Sequence, residues 1–225
     1  MIDFFTAGTP NGYKISIMLE ECGFPYTVRI MNLTALDQKQ PAFTSINPNG
    51  RIPAIVDHEE GDFPVFESGA ILIYLAEKAG KLIPTDRLGR SRITQWVVWQ
   101  TAGLGPMMGQ LNVFRHYFPE RLPSVVDRYS RESYRLFGVL EKQLASQAYV
   151  AGDEYSIADI ACWPWIFAHG WSQLSLTDYP ALKRWFDVIG ERPAVKRGLL
   201  VPPPALPKDA AAYAEVVQET RKTLS

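Results

Sequence analysis

Strand patterns occur only in roughly the first third of the chain, and this asymmetry most limits what the chain can fold into. Four short apolar or alternating runs there predict strands: residues 2–5, 26–31, 52–56 and 63–66. Apolar residues at helical spacing predict helices between and after them, over residues 15–22 and 68–79. The order β-α-β, then β-β-α, predicts a mixed four-stranded sheet with helices packed on it.

From Arg87 onward the strand signals vanish. Helical patterns follow one another over residues 88–108, 123–146, 157–171 and 179–191. We therefore predict an α/β domain at residues 1–84, an all-helical domain at residues 85–200 and a Pro-rich extension at residues 201–225. Prolines from Pro202 to Pro207 predict an extended start of that extension, and residues 209–220 could form one more short helix.

Composition excludes several classes of function. With 47% hydrophobic and 21% charged residues and a formal net charge of -1, the chain has no electrostatic signature of a nucleic-acid or membrane-surface protein. The start has no signal-peptide pattern, and no apolar run reaches transmembrane length. Cys22 and Cys162 are distant and form no CxxC, which indicates free thiols and a cytoplasmic location. The three histidines are widely separated, so we expect no metal site.

The Ile52-Pro53 step is the first candidate for a binding site. A proline at the entry of an apolar strand removes one N–H donor from that strand. In the cis form, the chain would turn sharply and present the backbone N–H and C=O of Ile52 to an extended peptide. The plainer alternative is a trans proline on an edge strand, which is the commoner state of X–Pro bonds.

The Glu67-Ser68 pair is the second candidate, because it stands between a predicted strand and a predicted helix. The unpaired N–H groups of a helix start, together with the helix dipole, favour a carboxylate near Ser68. Glu67 could pair with an ammonium group. A ligand with a carboxylate, an ammonium group and peptide amides would suit this pair and Ile52 together, whereas the alternative is an ordinary Ser cap beside a solvated Glu.

At this point the sequence resembles a known family. The segments Asn49-Gly50-Arg51-Ile52-Pro53-Ala54-Ile55 and Phe66-Glu67-Ser68-Gly69-Ala70-Ile71 resemble the glutathione-site signature of cytosolic glutathione transferases. Ser156-Ile157-Ala158-Asp159 reads as a capping box and resembles the folding motif of their helical domain. The resemblance implies a thioredoxin-like N-terminal domain whose cis-proline loop binds the cysteinyl backbone of glutathione and whose Glu-Ser pair binds the γ-glutamyl group.

A narrower resemblance is to the bacterial Nu class. It is carried by Thr9-Pro10-Asn11-Gly12-Tyr13-Lys14-Ile15, by Gly103-Leu104-Gly105-Pro106-Met107 and by the segment from Ala158 to Trp165. It implies a glutathione-dependent disulfide-bond oxidoreductase that uses one or two glutathione molecules per subunit as co-substrate. It also implies a homodimer that acts on a small-molecule disulfide or electrophile.

The end of the first predicted strand holds no Cys or Tyr that could activate a thiol. We therefore predict that Asn11 and Thr9 stabilise the glutathione thiolate at the start of the first helix. The alternative is that both residues only shape a turn and cap that helix. By the same resemblance Gln38 contacts the glycine end of glutathione and Arg128 reaches toward a second glutathione, although Arg128 could equally be a solvated helix residue.

Two other functions use the same residues. The first is the conjugation of glutathione to small electrophiles, which needs the same thiolate. The second is a non-catalytic regulatory protein that binds glutathione or a partner, an alternative favoured by the missing Tyr, Ser or Cys.

Overall fold

The structure, a computed structural model, describes residues 1–203 and 217–218. One sheet contains four strands in the order β2-β1-β3-β4: β1 (Ile2–Thr6), β2 (Tyr26–Ile30), β3 (Ala54–Asp57) and β4 (Phe63–Phe66). β1 runs parallel to β2 and antiparallel to β3, and β3 pairs antiparallel with β4. The predicted mixed four-stranded sheet is confirmed.

Three α-helices accompany the sheet, α1 (Pro10–Cys22), the single turn α2 (Pro41–Thr44) and α3 (Ser68–Ala79), with two short 3₁₀ helices at Asp37–Lys39 and His58–Glu60. Thr9 is the N-cap of α1, and its Oγ accepts the N–H of Gly12 at 3.2 Å. A side chain at Gly12 would lie 2.3 Å from the carbonyl oxygen of Ala7, so only glycine lets α1 start this close to the end of β1. The helix ends at Gly23 in the left-handed conformation (φ 73°).

The rest of the described chain up to residue 203 is helical or irregular. Six helices follow: α4 (Arg87–Trp99), α5 (Gly105–Asn112), α6 (Pro123–Leu144), α7 (Ile157–Phe167), α8 (Pro180–Gly190) and α9 (Pro193–Gly198). Two π-helical segments, Gln100–Leu104 and Val113–Tyr117, join α4 to α5 and extend α5. The helix predicted over residues 88–108 therefore continues to residue 117, because the wider π turns keep the chain helical beyond the regular 3.6-residue pattern.

Helix α7 lies at the centre of the helical region and contacts α1, α3, α4, α5 and α8. Every residue from Ile157 to Ile166 is buried. The prediction that this helix reaches Trp171 is wrong, because the chain leaves the helix at Phe167 and turns through Gly170. Of the helices in the described part of the chain, none is both long enough and apolar enough to cross a membrane.

The predicted capping box at the start of α7 is confirmed. Ser156 Oγ accepts the N–H of Ala158 at 3.3 Å, and Asp159 Oδ2 accepts the N–H of Ser156 at 3.0 Å. Asp159 Oδ1 also accepts the N–H of Val150 at 2.9 Å and Nε1 of Trp185 at 2.8 Å. The fully buried Asp159 thereby ties α7 to the preceding loop and to α8. The predicted extended and helical parts of residues 204–220 lie outside the described residues, apart from 217–218.

Candidate active site

Two adjoining cavities open beside the start of α3. The first has a volume of about 340 Å³ and is lined by five of the predicted site residues, Asn11, Ile52, Pro53, Glu67 and Ser68. The second has a volume of about 320 Å³ and is lined by residues of both domains. Asn11, Arg51, Glu67 and Ser68 line both cavities, so the two form a continuous polar cleft at the domain interface.

The loop before β3 forms one wall of this cleft. The Ile52-Pro53 peptide bond is cis, and the trans alternative is excluded. Ile52 lies two residues before Ala54, the first residue of β3, so its N–H and C=O are not used in the pairing of β3 with β1 and β4. Asn47 stabilises the loop, because its Nδ2 donates to the carbonyl of Arg51 at 2.6 Å. Gly50 takes a left-handed conformation (φ 60°) close to the carbonyl of Gln38, which excludes a side chain there.

The start of α3 forms the opposite wall. Glu67 occupies the N-cap position with φ 66°, and its side chain makes no capping hydrogen bond. Ser68, predicted to lie near the N-cap, is the first residue of the helix and is 6% exposed. The first N–H groups of a helix lack intrahelical partners, so those of Ser68 and its neighbours remain for a ligand. The exposed Glu67 carboxylate, which also accepts Nδ2 of Asn49 at 3.4 Å, stands beside them.

Asn11 is held by the helical domain. Nε1 of Trp165, on α7, donates to Asn11 Oδ1 at 3.0 Å. An indole nitrogen can only donate, so Oδ1 must be the acceptor and the amide cannot turn over without losing this bond. The Nδ2 donor of Asn11 is therefore left for the cavities that Asn11 lines. A partner from the second domain thus sets the orientation of a predicted catalytic amide.

A buried lysine lies below Ser68. Lys14, three residues after Asn11 on α1, is 1% exposed, and its Nζ donates to Ser68 Oγ at 3.2 Å. It also donates to Oε1 of Gln100, the first residue of the π-helical segment after α4. Burial lowers the pKa of Lys14 to about 7, although Cys162 and Glu67 oppose the shift electrostatically. Near neutral pH this side chain is therefore poised between its charged and neutral forms.

Three predicted site residues do not line either cavity. Thr9 acts as the N-cap of α1. Gln38 Nε2 bonds back to the carbonyl of Leu33 at 3.5 Å, within its own loop. Arg128 is 66% exposed on α6 and pairs with Glu132, the next turn along that helix, at 3.7 Å. The structure brings Asn11, Ile52, Pro53, Glu67 and Ser68 together and leaves these three outside.

Neither cysteine lines the cleft. Cys162 is fully buried on α7, and burial raises the pKa of its thiol. Burial also raises the pKa of Cys22 to about 11. Both remain largely protonated near neutral pH and are poor nucleophiles. Within residues 1–203 and 217–218, no group of three or more His, Cys, Asp or Glu side chains could hold a metal ion.

Sequence reasoning missed Lys14, Gln100 and Trp165 as parts of the site. One signal for Lys14 was available, because it lies four residues before Met18 on the apolar face of α1, where a lysine is out of place. Gln100 and Trp165 lie 86 and 154 residues from their partners, and no local pattern reports such pairs.

The structure places this chain in a class of two-domain proteins in which a thioredoxin-like sheet domain is joined to a helical domain. The candidate site of this chain is a polar cleft between a cis-proline loop and an uncapped helix start. The sequence models of two domains match this chain: "Glutathione S-transferase, N-terminal domain" over residues 2–77 and "Glutathione S-transferase, C-terminal domain" over residues 102–193. The chain belongs to the glutathione S-transferase family.

Individual relatives and solved structures support the same family assignment. The Escherichia coli protein named disulfide-bond oxidoreductase YfcG is 45% identical over 204 residues, which cover 89% of this chain and 95% of that protein. A glutathione transferase from Burkholderia graminis, solved with two glutathione molecules per subunit, is 46% identical with a TM-score of 0.84 over 89% of this chain and 88% of that one. A Pseudomonas putida transferase, solved with one glutathione disulfide per subunit, is 40% identical with a TM-score of 0.81 over 89% and 91%.

Proposed function

We propose that this protein is a glutathione-dependent disulfide-bond oxidoreductase in which no protein cysteine takes part. The observation that carries the proposal is the cleft itself. It gathers an amide, a cis-proline loop, a carboxylate and an uncapped helix start, and no cysteine lines it. The name of YfcG and the glutathione disulfide in the P. putida structure support the same chemistry.

The charges in the cleft match the ends of glutathione. The Glu67 carboxylate would pair with the γ-glutamyl ammonium group, while the hydroxyl and first N–H groups of α3 at Ser68 would bind the adjacent carboxylate. The N–H and C=O of Ile52, next to Pro53, would pair with the cysteinyl backbone as one strand pairs with another. This arrangement directs the glutathione sulfur toward Asn11.

The role of Asn11 is to stabilise a thiolate. Its Nδ2 donor is free because Trp165 occupies Oδ1. Lowering a thiol pKa from about 8.5 to near neutrality needs roughly 2 kcal/mol of thiolate stabilisation, which one or two charge-assisted hydrogen bonds provide. Thr9 Oγ already accepts the Gly12 N–H and would add a bond only by donating its own hydrogen.

The net reaction is balanced by two glutathione molecules. Two thiols are oxidised to one glutathione disulfide, and one substrate disulfide is reduced to two thiols. The protein contributes alignment of the sulfurs and stabilisation of the attacking thiolate. The second cavity, of about 320 Å³, has room for the disulfide substrate, and Gly105, Pro106 and Val113 contribute apolar surface to its otherwise polar lining.

Gln38 and Arg128 remain part of the proposal as outer contacts, for the glycine end of glutathione and for the second glutathione. Either side chain would have to leave its present partner, Leu33 or Glu132, to reach a ligand. We therefore expect Arg128→Ala to leave the binding of the first glutathione unchanged.

We also propose that the chain forms a homodimer in the cytoplasm. Leu88 and Val98, both on α4, are 67% and 53% exposed, which supports burial of this helix against a second copy. The free thiols of Cys22 and Cys162 suit a reducing compartment. Light scattering of the purified chain would give the mass of the assembly.

The decisive experiment removes both cysteines. A Cys22→Ala/Cys162→Ala variant should reduce a small-molecule disulfide with glutathione at the wild-type rate per folded molecule. Loss of activity with intact folding would overturn the proposed mechanism. Turnover on an aryl halide, measured alongside, would show whether conjugation is the main activity instead.

A further inference from the structure

Lys14 has no part in the proposed reaction, yet it occupies the floor of the cleft. It is the longest polar side chain among the buried residues of α1, and it lines the second cavity together with Ser68 and Gln100. Burying an ammonium group is unfavourable unless its partners compensate. Its position therefore calls for a function.

The contact with Ser68 constrains which way that hydroxyl points. The charged form of Lys14 can only donate hydrogen bonds, so in that form Ser68 Oγ accepts from Nζ at 3.2 Å. The hydroxyl hydrogen of Ser68 then points away from Lys14. Ser68 lines both cavities, so this hydrogen is available to a carboxylate in the cleft.

Gln100 holds the lysine from the other domain. Its Oε1 accepts from Nζ, while its Nε2 is buried and has no hydrogen-bond partner among the described residues. Gln100 is itself fully buried and begins a π-helical segment. Such segments occur frequently at functional sites. The three side chains form a polar link from the helical domain, through α1, to the start of α3.

We propose that Lys14 is a positioning residue for glutathione, which holds the Ser68 hydroxyl as a donor toward the γ-glutamyl carboxylate and places a positive charge beneath that carboxylate. The inference rests on the proposed function, because it concerns the same ligand and the same site.

The surroundings of Lys14 predict how pH affects binding. The charged groups near it are Glu67, at the start of α3, and Arg51, which lines the same cavity. Cys162 on α7 also interacts with Lys14 electrostatically, and burial raises the pKa of its thiol. The pKa of Lys14 is lowered to about 7, so the free protein loses this charge as pH rises through neutrality. A bound carboxylate favours the charged form. Affinity should therefore fall as pH rises from 6 to 8.5.

The test uses S-methylglutathione, which has no thiol to titrate, and calorimetry on the full chain. Wild type should bind more weakly as pH rises. Lys14→Met, which keeps the length of the side chain and removes its charge, should bind about tenfold more weakly at pH 6.5. Because the ligand's own titration is common to both proteins, the difference between their pH profiles isolates Lys14.

Two further variants separate positioning from a general structural effect. Lys14→Met should cause a smaller loss of affinity in a Ser68→Ala background than in wild type, by a factor of about three or more. The reason is that the hydroxyl that Lys14 orients is absent in that background. Gln100→Glu places a carboxylate beside Nζ and should move the fall in affinity to higher pH. This variant keeps Lys14 in place, so it decides the question if Lys14→Met does not fold.

Wild-type affinity and a wild-type pH profile in folded Lys14→Met would overturn the inference, and so would full additivity with Ser68→Ala or an unshifted profile in Gln100→Glu. If wild type itself binds no S-methylglutathione at any pH, the proposed function fails and this inference fails with it. Binding by wild type with an unaffected Lys14→Met overturns the inference alone.

Discussion

The first N–H groups of every helix lack partners within the helix, and the starts of α7 and α3 differ in whether the protein itself supplies those partners. At α7 the sequence supplies its own cap, since Ser156 and the buried Asp159 accept hydrogen bonds from N–H groups at the helix start, and Asp159 also accepts from Val150 and Trp185. At α3 the N-cap residue Glu67 has a positive φ, and its side chain caps nothing. The cation below that helix start, Lys14, is buried, and its hydrogen-bond partners among the described residues are the neutral side chains of Ser68 and Gln100.

The difference separates a structural helix start from a binding one. Complete capping lowers the energy of the folded protein and leaves nothing for a ligand. An uncapped helix start beside a buried lysine stabilises the free protein less than a capped one does. A carboxylate ligand would supply both the hydrogen-bond acceptors for the N–H groups and the negative charge opposite the lysine. Mutations in the cap at the start of α7 should therefore change stability, whereas mutations at the start of α3 should change binding.

The largest effect is expected at Asp159. Asp159→Ala would leave three buried N–H donors without their acceptor, and we expect the free energy of unfolding to fall by about 3 to 5 kcal/mol. Urea denaturation would measure it, with Asp153→Ala, an exposed carboxylate in the preceding loop, as the matched control. A loss below about 1 kcal/mol would mean that the α7 cap is not the structural anchor.

The next effect concerns the pH dependence of stability. The folded pKa of Lys14 is about 7 and the ordinary lysine value is 10.5, so the unfolded chain binds more protons between these limits. This group therefore makes the free energy of unfolding rise with pH, by on the order of 2 kcal/mol between pH 7 and 9. Denaturation of wild type and Lys14→Met at both pH values gives the contribution as a difference. Parallel curves would show that Lys14 does not strain the site.

A smaller effect is expected at Glu67. Glu67→Gln keeps the shape of the side chain and removes the charge that faces the ligand ammonium, so glutathione affinity should fall about tenfold, or roughly 1.4 kcal/mol, with little change in stability. Calorimetric titration would measure the affinity, and Glu120→Gln, an exposed carboxylate distant in sequence, serves as control. A stability loss without a binding loss would reverse the contrast with α7.

The smallest effect is expected at Trp165. Trp165→Phe removes the hydrogen bond that orients Asn11, so turnover should fall about threefold while glutathione affinity stays near wild type. Trp163→Phe is a matched control on the same helix, since its indole donates to the carbonyl of Phe186 at 2.9 Å, away from Asn11. Equal turnover losses in both variants would indicate a packing effect and not an oriented amide.

Much of the fold follows from the sequence because its signals are local. Alternating runs predict the strands, Gly23 and Gly80 end their helices in the left-handed conformation, and Ser156 with Asp159 predicts the capping box. The site was predicted as far as it depends on short motifs, since Asn11, Ile52, Glu67 and Ser68 do line one cavity.

The remainder depends on contacts between distant parts of the chain. Lys14 on α1 meets Gln100, 86 residues further along the chain, where α4 gives way to a π-helical segment. Thr9 and Arg128 have side-chain types suited to the predicted chemistry. In the structure, however, Thr9 caps α1, and the exposed Arg128 pairs with Glu132 on its own helix. Residue type alone cannot distinguish these outcomes.

The hydrogen bond between Trp165 and Asn11 also limits how modular the molecule is. A chimera that kept the sheet domain but took a helical domain without an indole at this position would retain every residue of the cis-proline loop and of the α3 start. Its Asn11 amide would nevertheless be free to rotate, and its donor would face the sulfur only part of the time. Exchanging domains between family members should therefore preserve full turnover only when these two side chains are kept as a pair.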